Sequence, residues 1–302
     1  MARAARKRTS KKRALVEDIY FRTDSAYLCV IINRRTKLAR VIDFRVGALP
    51  AKRMYLQKLA KEEGIEKIIT LVEKDEVTTW TRIGFAREGV VPGFYKRSDG
   101  HLCGWVVGSS GGGDLPNSAD ERLADRTINA AKKLALEIPE QLSGVSCHPA
   151  EPEAALAARD GIWRRDKALG AFDEFGRDAQ RKYIETAYRK SKTNYISAEY
   201  QDCFGHSLLE ILRRPASQED QLAIVGGLRD ICGTLTERGI VSAFSFAPSD
   251  DVELSTAFVA AGFRKTGLLA LGILVSGERR DAILWSRKLA NPAGDDNSDS
   301  SS

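Results

Sequence analysis

The residues able to do chemistry are few, and their spacing narrows what they could do. Five cysteines stand at Cys29, Cys103, Cys147, Cys203 and Cys232, and no two form a Cys-x-x-Cys pair. Cys29, Cys203 and Cys232 sit in apolar-patterned segments, where a thiol behaves as a small hydrophobe. The adjacent Cys147-His148 has no second ligand pair at zinc spacing. Structural thiols in a reducing compartment are therefore expected, and no metal. His206 falls in a turn and reads as a surface side chain, while His101 reads as structural. The strongest charge feature is terminal. Residues 1–13 carry seven cations (Arg3, Arg6, Lys7, Arg8, Lys11, Lys12, Arg13) and no acid, whereas residues 291–302 carry Asp295, Asp296 and Asp299 and no cation. Such an arm either contacts an acidic protein or the phosphates of a nucleic acid, with the salt dependence such contacts bring, or is a solvated tail.

The elements that must position any site come from an ordinary globular composition. The 302 residues hold 47 Lys+Arg against 41 Asp+Glu, with 43% hydrophobic and 29% charged residues. Without its two charged ends the body is close to neutral, at +2. Collagen-like, disulfide-scaffold and wholly disordered classes are excluded, and there is room for one large or two modest cores. No stretch approaches the roughly 20 apolar residues of a membrane helix. The first residues lack the apolar core of a signal peptide. A soluble, cytoplasmic protein with no membrane contact is expected.

Read along the chain, residues 27–33 and 37–44 predict two strands, then a helix enters through Pro50 and stops at Gly64. A strand over 65–72, a short helix over 75–83 and a closing hairpin over 95–107 follow. The Gly/Ser-rich stretch 108–117 reads as a linker. Residues 118–194 read as a helical connector, with helices over 118–136 (Ser118 as N-cap and Glu121 completing a capping box), 153–167 and 177–191. Beyond it, strands 195–203 and 207–212, a helix 219–238, a strand 240–247, a helix 250–261 and a hairpin 268–289 repeat the earlier order. The domain expectation is a basic, largely disordered arm 1–25, a first unit 26–107, the linker, the connector, a second unit 195–290 and a disordered acidic tail 291–302. The repeat is marked by matching residues. Gly64-Ile65 answers Gly239-Ile240, Gly84-Phe85 with Arg87 and Gly89 answers Gly262-Phe263 with Lys265 and Gly267, and Trp105 answers Trp285, at offsets of about 175 to 180 that loop insertions would produce.

The order strand, strand, helix, strand, helix, Gly-Phe, strand, strand resembles the C-terminal part of the GNAT acyltransferase fold. The run Gly84 to Tyr95 is similar to the first domain of β-lysine acetyltransferases. The resemblance covers roughly 26–107 and 195–290, and implies an α/β fold of tandem GNAT-like mixed sheets joined by a helical segment. It further implies acetyl-CoA as cosubstrate and a small amine or amino acid as acceptor. Enzymes of this family hold the coenzyme A phosphates on a glycine-containing loop ahead of the long helix. The matching segments here are Arg45, Val46, Gly47 and Ala48 in the first unit and Arg213, Arg214 and Ser217 in the second. Both depart from the family's motif: the first has one glycine, and the second has none before Gly226 and carries Glu219 and Asp220. The family's proton-donating tyrosine falls on Trp80 and Phe258, neither of which can donate. Glu199 and Glu210 are the candidate general bases, with Asp202 beside them; each is otherwise an ordinary strand residue. Two functions are carried forward: an acetyl-CoA-dependent N-acetyltransferase, and a catalytically silent GNAT-like binding or scaffold protein. A dedicated nucleic-acid-binding protein is disfavoured by the near-neutral body.

Overall fold

The computed structural model describes residues 13–45, 47–108, 116–165, 168–173, 176, 179–189, 191–201 and 204–290. The basic run apart from Arg13, Val46, most of the linker, Asp202, Cys203 and the acidic tail therefore lie outside the described residues. The first unit contains β1 (Val16–Arg22), β2 (Tyr27–Asn33), β3 (Leu38–Asp43), α1 (Leu49–Glu63), β4 (Lys67–Val72), α2 (Val77–Arg82), β5 (Ala86–Val91) and β6 (Gly100–Val106). After α3 (Ser118–Ala135), β7 (Val145–Pro149) and α4 (Pro152–Trp163), the second unit repeats the series. It contains β8 (Gln180–Tyr188), β9 (Asn194–Tyr200), β10 (His206–Ile211), α5 (Gln218–Glu237), β11 (Ser242–Pro248), α6 (Val252–Ala260), β12 (Arg264–Val275) and β13 (Glu278–Lys288).

All thirteen strands form one mixed sheet in the order β1-β2-β3-β4-β6-β5-β12-β13-β11-β10-β9-β8-β7. Apart from β7, the order reads the same from either end once each strand is exchanged for its repeat. In each unit the parallel pair, β3 with β4 and β10 with β11, is bridged by the long helix. A parallel pair requires such a crossover. The fold is thus the expected tandem of similar α/β units, joined edge to edge into a single sheet. One core lies under α1 and α2 around Leu56, Ile68, Trp80 and Phe85, and a larger one under α5 and α6 around Leu228, Phe258 and Trp285. A third, with Phe94, Leu102, Phe244 and Leu284, draws on both units.

The seam explains the repeated glycines. Gly89 of β5 pairs with Gly267 of β12 in the antiparallel rung that joins the units. Both sit at register shifts in their own hairpins. A Cβ on Gly267 would stand 2.5 Å from the Glu88 carbonyl oxygen and 2.6 Å from the Gly89 Cα. Only a bare α-carbon allows that approach. Beside it, Lys67 Nζ lies 2.5 Å from Glu88 Oε1 and 2.7 Å from the Ala270 carbonyl, and the Ala270 N–H donates back to Glu88 Oε1 at 3.1 Å.

Several expectations are corrected. β1 occupies part of the segment expected as a basic arm. Within residues 177–191, read as helix, Gln180–Tyr188 form strand β8, and β7 also lies in the expected helical connector. In β8 only alternate positions, Ile184 and Thr186, are buried, and the charges between them imitated a helical face. The cap of α3 is Asn117, not Ser118, with Asp120 as its reciprocal partner. The tryptophan match is offset by two residues. Opposite Lys265 stands Trp285, but opposite Arg87 stands Cys103. The two indoles fill their cores from neighbouring positions on one face.

Candidate functional site

In the first unit, β3 and β4 pair from Leu38/Lys67 to Val41/Thr70 and then separate. The last rung is tied by Thr70 Oγ1 donating to the Val41 carbonyl at 3.0 Å. Beyond it the strands open on a cleft of about 650 Å³. Arg40, Asp43 and Phe44 line one side, and Leu71, Glu73 and Glu76 the other. Tyr95 Oη donates to the Leu71 carbonyl at 2.9 Å, and burial pushes this phenol up, so it stays protonated at neutral pH. Glu73 accepts from Ser98 Oγ at 3.0 Å, and Glu76 accepts from the Glu73 N–H at 3.1 Å.

The loop leaving β3 leads into α1 and is held from beneath. The buried Lys52 Nζ lies 2.5 Å from Asp43 Oδ2 and 2.6 Å from the Arg45 carbonyl, while Asp43 Oδ1 accepts the Arg45 N–H at 3.1 Å. Gly47 (φ 113°) and Ala48 (φ 51°) both turn through the left-handed region. α1 then starts with no side-chain cap and no acid in its first turn. The positive end of a fifteen-residue helix is therefore left without a carboxylate of its own.

The second unit has the same opening and has filled it. β10 and β11 pair only as far as Leu208/Phe244. The space beyond holds the chain around residues 168–172. Ala168 forms a bridge with Arg213, the Leu169 N–H donates to the Leu212 carbonyl at 2.8 Å, and a cavity of only about 90 Å³ remains. The helix end is filled too. Ser217 Oγ accepts the Asp220 N–H at 3.1 Å, and Asp220 Oδ2 accepts the Ala216 N–H at 3.2 Å. The anion position of α5 thus belongs to a carboxylate of the helix itself.

The sequence-derived candidates fall into two groups. Arg45, Gly47 and Ala48 stand in the loop between Phe44, which lines the open cleft, and α1, and do not themselves line it; Val46 is outside the described residues. In the second unit Arg213 is 3.5 Å from Asp220, Arg214 is paired with Asp251, and Ser217 is a cap. Glu199 and Glu210 meet around one guanidinium. Arg181 Nη1 lies 2.5 Å from Glu210 Oε2, and Arg181 Nη2 binds Glu199. Their remaining oxygens accept the N–H groups of Ala171 (3.1 Å) and Gly176 (2.7 Å). The pair therefore anchors the segment that fills the second cleft, and neither lines the open one. Trp80 and Phe258 are buried.

His206 is buried, correcting its surface assignment. It stacks on Phe94 with ring centroids 3.6 Å apart, and burial takes its pKa down to about 3. No spacing in the sequence singles out Tyr95, Glu73, Glu76 or Lys52: Tyr95 closes a Gly-Phe-Tyr run, and the others lie in segments that read as plain strand ends and helix. Among the described residues, no group of three His, Cys, Asp or Glu side chains could hold a metal ion, and no helix is long and apolar enough to cross a membrane.

No family model and no curated protein matches the chain. Solved structures with a related arrangement of elements include a spermidine N-acetyltransferase from Vibrio cholerae in complex with CoA and spermine. It is 9% identical at a TM-score of 0.40, over 51% of this chain and 100% of that one. A dodecameric structure of spermidine N-acetyltransferase from Vibrio cholerae is 10% identical at 0.39, over 49% and 95%. A probable acetyltransferase is 15% identical at 0.40, over 49% and 94%.

Proposed function

We propose that the chain is an acetyl-CoA-dependent N-acetyltransferase for a small amine, and that its reaction takes place in the first unit. The observation that carries this reading is the asymmetry of two otherwise similar units. One keeps its parted strands open beside an uncapped helix end; the other fills both positions with its own chain. Bound acetyl-CoA supplies an activated acyl carbonyl. The residues here fit such a group. Gly47 and Ala48 present a turn free of bulk, α1 offers its positive end to phosphate, and the exposed Arg45 adds a cation. The parted strands leave a cleft of about 650 Å³ in which Phe44, Leu71 and Tyr95 give apolar wall beside the charged side chains.

Glu73 and Glu76 form no ion pair among the described residues. In the cleft wall they attract an ammonium and accept its proton, directly or through water. Tyr95 keeps a proton at Oη. Holding the two reactants in one cleft then supplies much of the rate. The silent-module reading fits the second unit by itself, since its cleft and its anion position are both filled.

Thermal unfolding with and without acetyl-CoA tests the proposal. Ligand at about 100 times its Kd stabilises by about 2.7 kcal/mol, a clear rise in Tm. An unchanged Tm at millimolar acetyl-CoA would reject it.

A further inference from the structure

The opening of β3 from β4 turns on one backbone carbonyl. The Val107 N–H donates to the Glu66 carbonyl at 2.9 Å, so the carbonyls of Glu66, Ile68 and Thr70 face β6. By the alternation of a strand, those of Lys67, Ile69 and Leu71 face β3. On β3 the Phe44 N–H donates to the Tyr27 carbonyl of β2 at 3.0 Å, which turns the Asp43 N–H towards β4. Past the last rung at Val41/Thr70, a continued ladder would join the Asp43 N–H to the Leu71 carbonyl. The strands part there instead, and Tyr95 Oη donates to the Leu71 carbonyl at 2.9 Å.

Tyr95 is set by the second unit. The tip of the β9–β10 hairpin seats on the tip of the β5–β6 hairpin, which carries Phe94 and Tyr95. The Gly205 N–H donates to the Phe94 carbonyl at 3.3 Å, and His206 Nδ1 lies 3.1 Å from the same oxygen. The Phe204 ring meets Tyr95 edge to face with centroids 6.2 Å apart. A Cβ on Gly205 would stand 2.8 Å from the Gly93 carbonyl oxygen and 2.9 Å from the Lys96 Cα, so the two tips fit closely.

We infer that Tyr95 is a positioning residue, a wedge whose hydroxyl takes the carbonyl with which β3 would otherwise close, and that the second unit holds the wedge in place. A backbone carbonyl at such a point requires a donor. The Asp43 N–H would satisfy it by zipping the cleft shut; Tyr95 Oη satisfies it and leaves the space. The second unit meets the same demand with its own chain, where the Leu169 N–H donates to the Leu212 carbonyl and the space is lost. What the open slot admits rests on the N-acetyltransferase reading, but the wedge is a property of the unliganded chain.

The test therefore begins without ligand. Hydrogen exchange at the Asp43 amide is compared in the full-length wild type, in Tyr95→Phe, and in a variant with p-aminophenylalanine at position 95. The last restores a donor at the ring tip without a phenol's acid proton. Exchange should slow by about tenfold or more in Tyr95→Phe as the ladder gains a rung, and acetyl-CoA affinity, by titration, should fall by about tenfold as the slot narrows. The aminophenylalanine variant should return both towards wild type. Gly205→Ala and the milder Phe204→Leu, both in the second unit, should slow Asp43 exchange in the same direction. Unchanged exchange in Tyr95→Phe overturns the wedge. A lower kcat with exchange and affinity unchanged makes Tyr95 a proton donor and also overturns it. Wild-type exchange in both second-unit variants overturns the second unit's part. A wild type that binds no acetyl-CoA rejects the N-acetyltransferase reading, while the exchange comparison still decides the wedge.

Discussion

Ala48 sits where a helix usually keeps a side-chain acceptor, and it has none. In the second unit Asp220 fills the corresponding electrostatic role. Ala48→Asp should therefore place a carboxylate at the positive end of α1. Aspartate tolerates the left-handed backbone better than most residues, and a carboxylate near a helix N-terminus stabilises by about 0.3–1 kcal/mol. The expected outcome is a Tm equal to or above wild type with acetyl-CoA affinity down by about tenfold, since ligand phosphate and the introduced carboxylate would compete for one field. Titration of the variant checks this, and wild-type affinity would remove α1 from the phosphate site. His206 carries a second expectation. Its pKa is lowered to about 3 by burial first and by Arg40 second, so the unfolded chain takes up the proton before the folded one. The contribution of neutral His206 is complete above the ordinary value of 6.5 and is lost as pH falls from there towards about 3. The slope is about 1.4 kcal/mol per pH unit. Urea unfolding followed through the mildly acidic range should show this slope for wild type and a flatter one for His206→Phe.

At the scale of elements, the paired strands β5 and β12 decide whether the units join. Gly267→Ala forces a methyl against two backbone atoms of β5, at 2.5 Å and 2.6 Å, where no side-chain rotation relieves it. Destabilisation of about 3 kcal/mol is expected, read as a lower urea midpoint at unchanged slope; a neutral result would mean that the seam is looser than drawn. Most elements were legible beforehand because their signals are local. Gly64 does end α1 in the left-handed conformation, and β2 and β4 are the continuous apolar runs that a sheet covered on both faces requires. β1 and β8 were not legible. Their side chains are charged on the exposed face, and only hydrogen bonding to β2 and β9 makes them strands.

The whole molecule is a single sheet, and its unfolding should follow. Lys67 and Glu88 are both fully buried, and their partner at Ala270 belongs to the other unit. Calorimetry should show one transition for both units, and two separated transitions would show that the seam does not couple them. Glu88→Gln leaves the Lys67 ammonium buried without its counter-charge, which costs about 3–5 kcal/mol. The single transition should move down as a unit.

From the residues alone came the repeat, the order of its elements, the balanced body with its basic beginning, and the loop at Arg45 to Ala48. These are local or comparative properties, fixed by periodicity, by glycines at helix ends and by a second copy to compare. Which copy keeps an open cleft was decided only in three dimensions. The answer depends on a segment near residue 170 that crosses to β10, on a carboxylate that turns back onto its own helix, and on the tip of one hairpin set against another. Glu199 and Glu210 stand in strands that look suitable for a base. Arg181, 18 and 29 residues away in sequence, claims both, and no spacing rule announces such a contact.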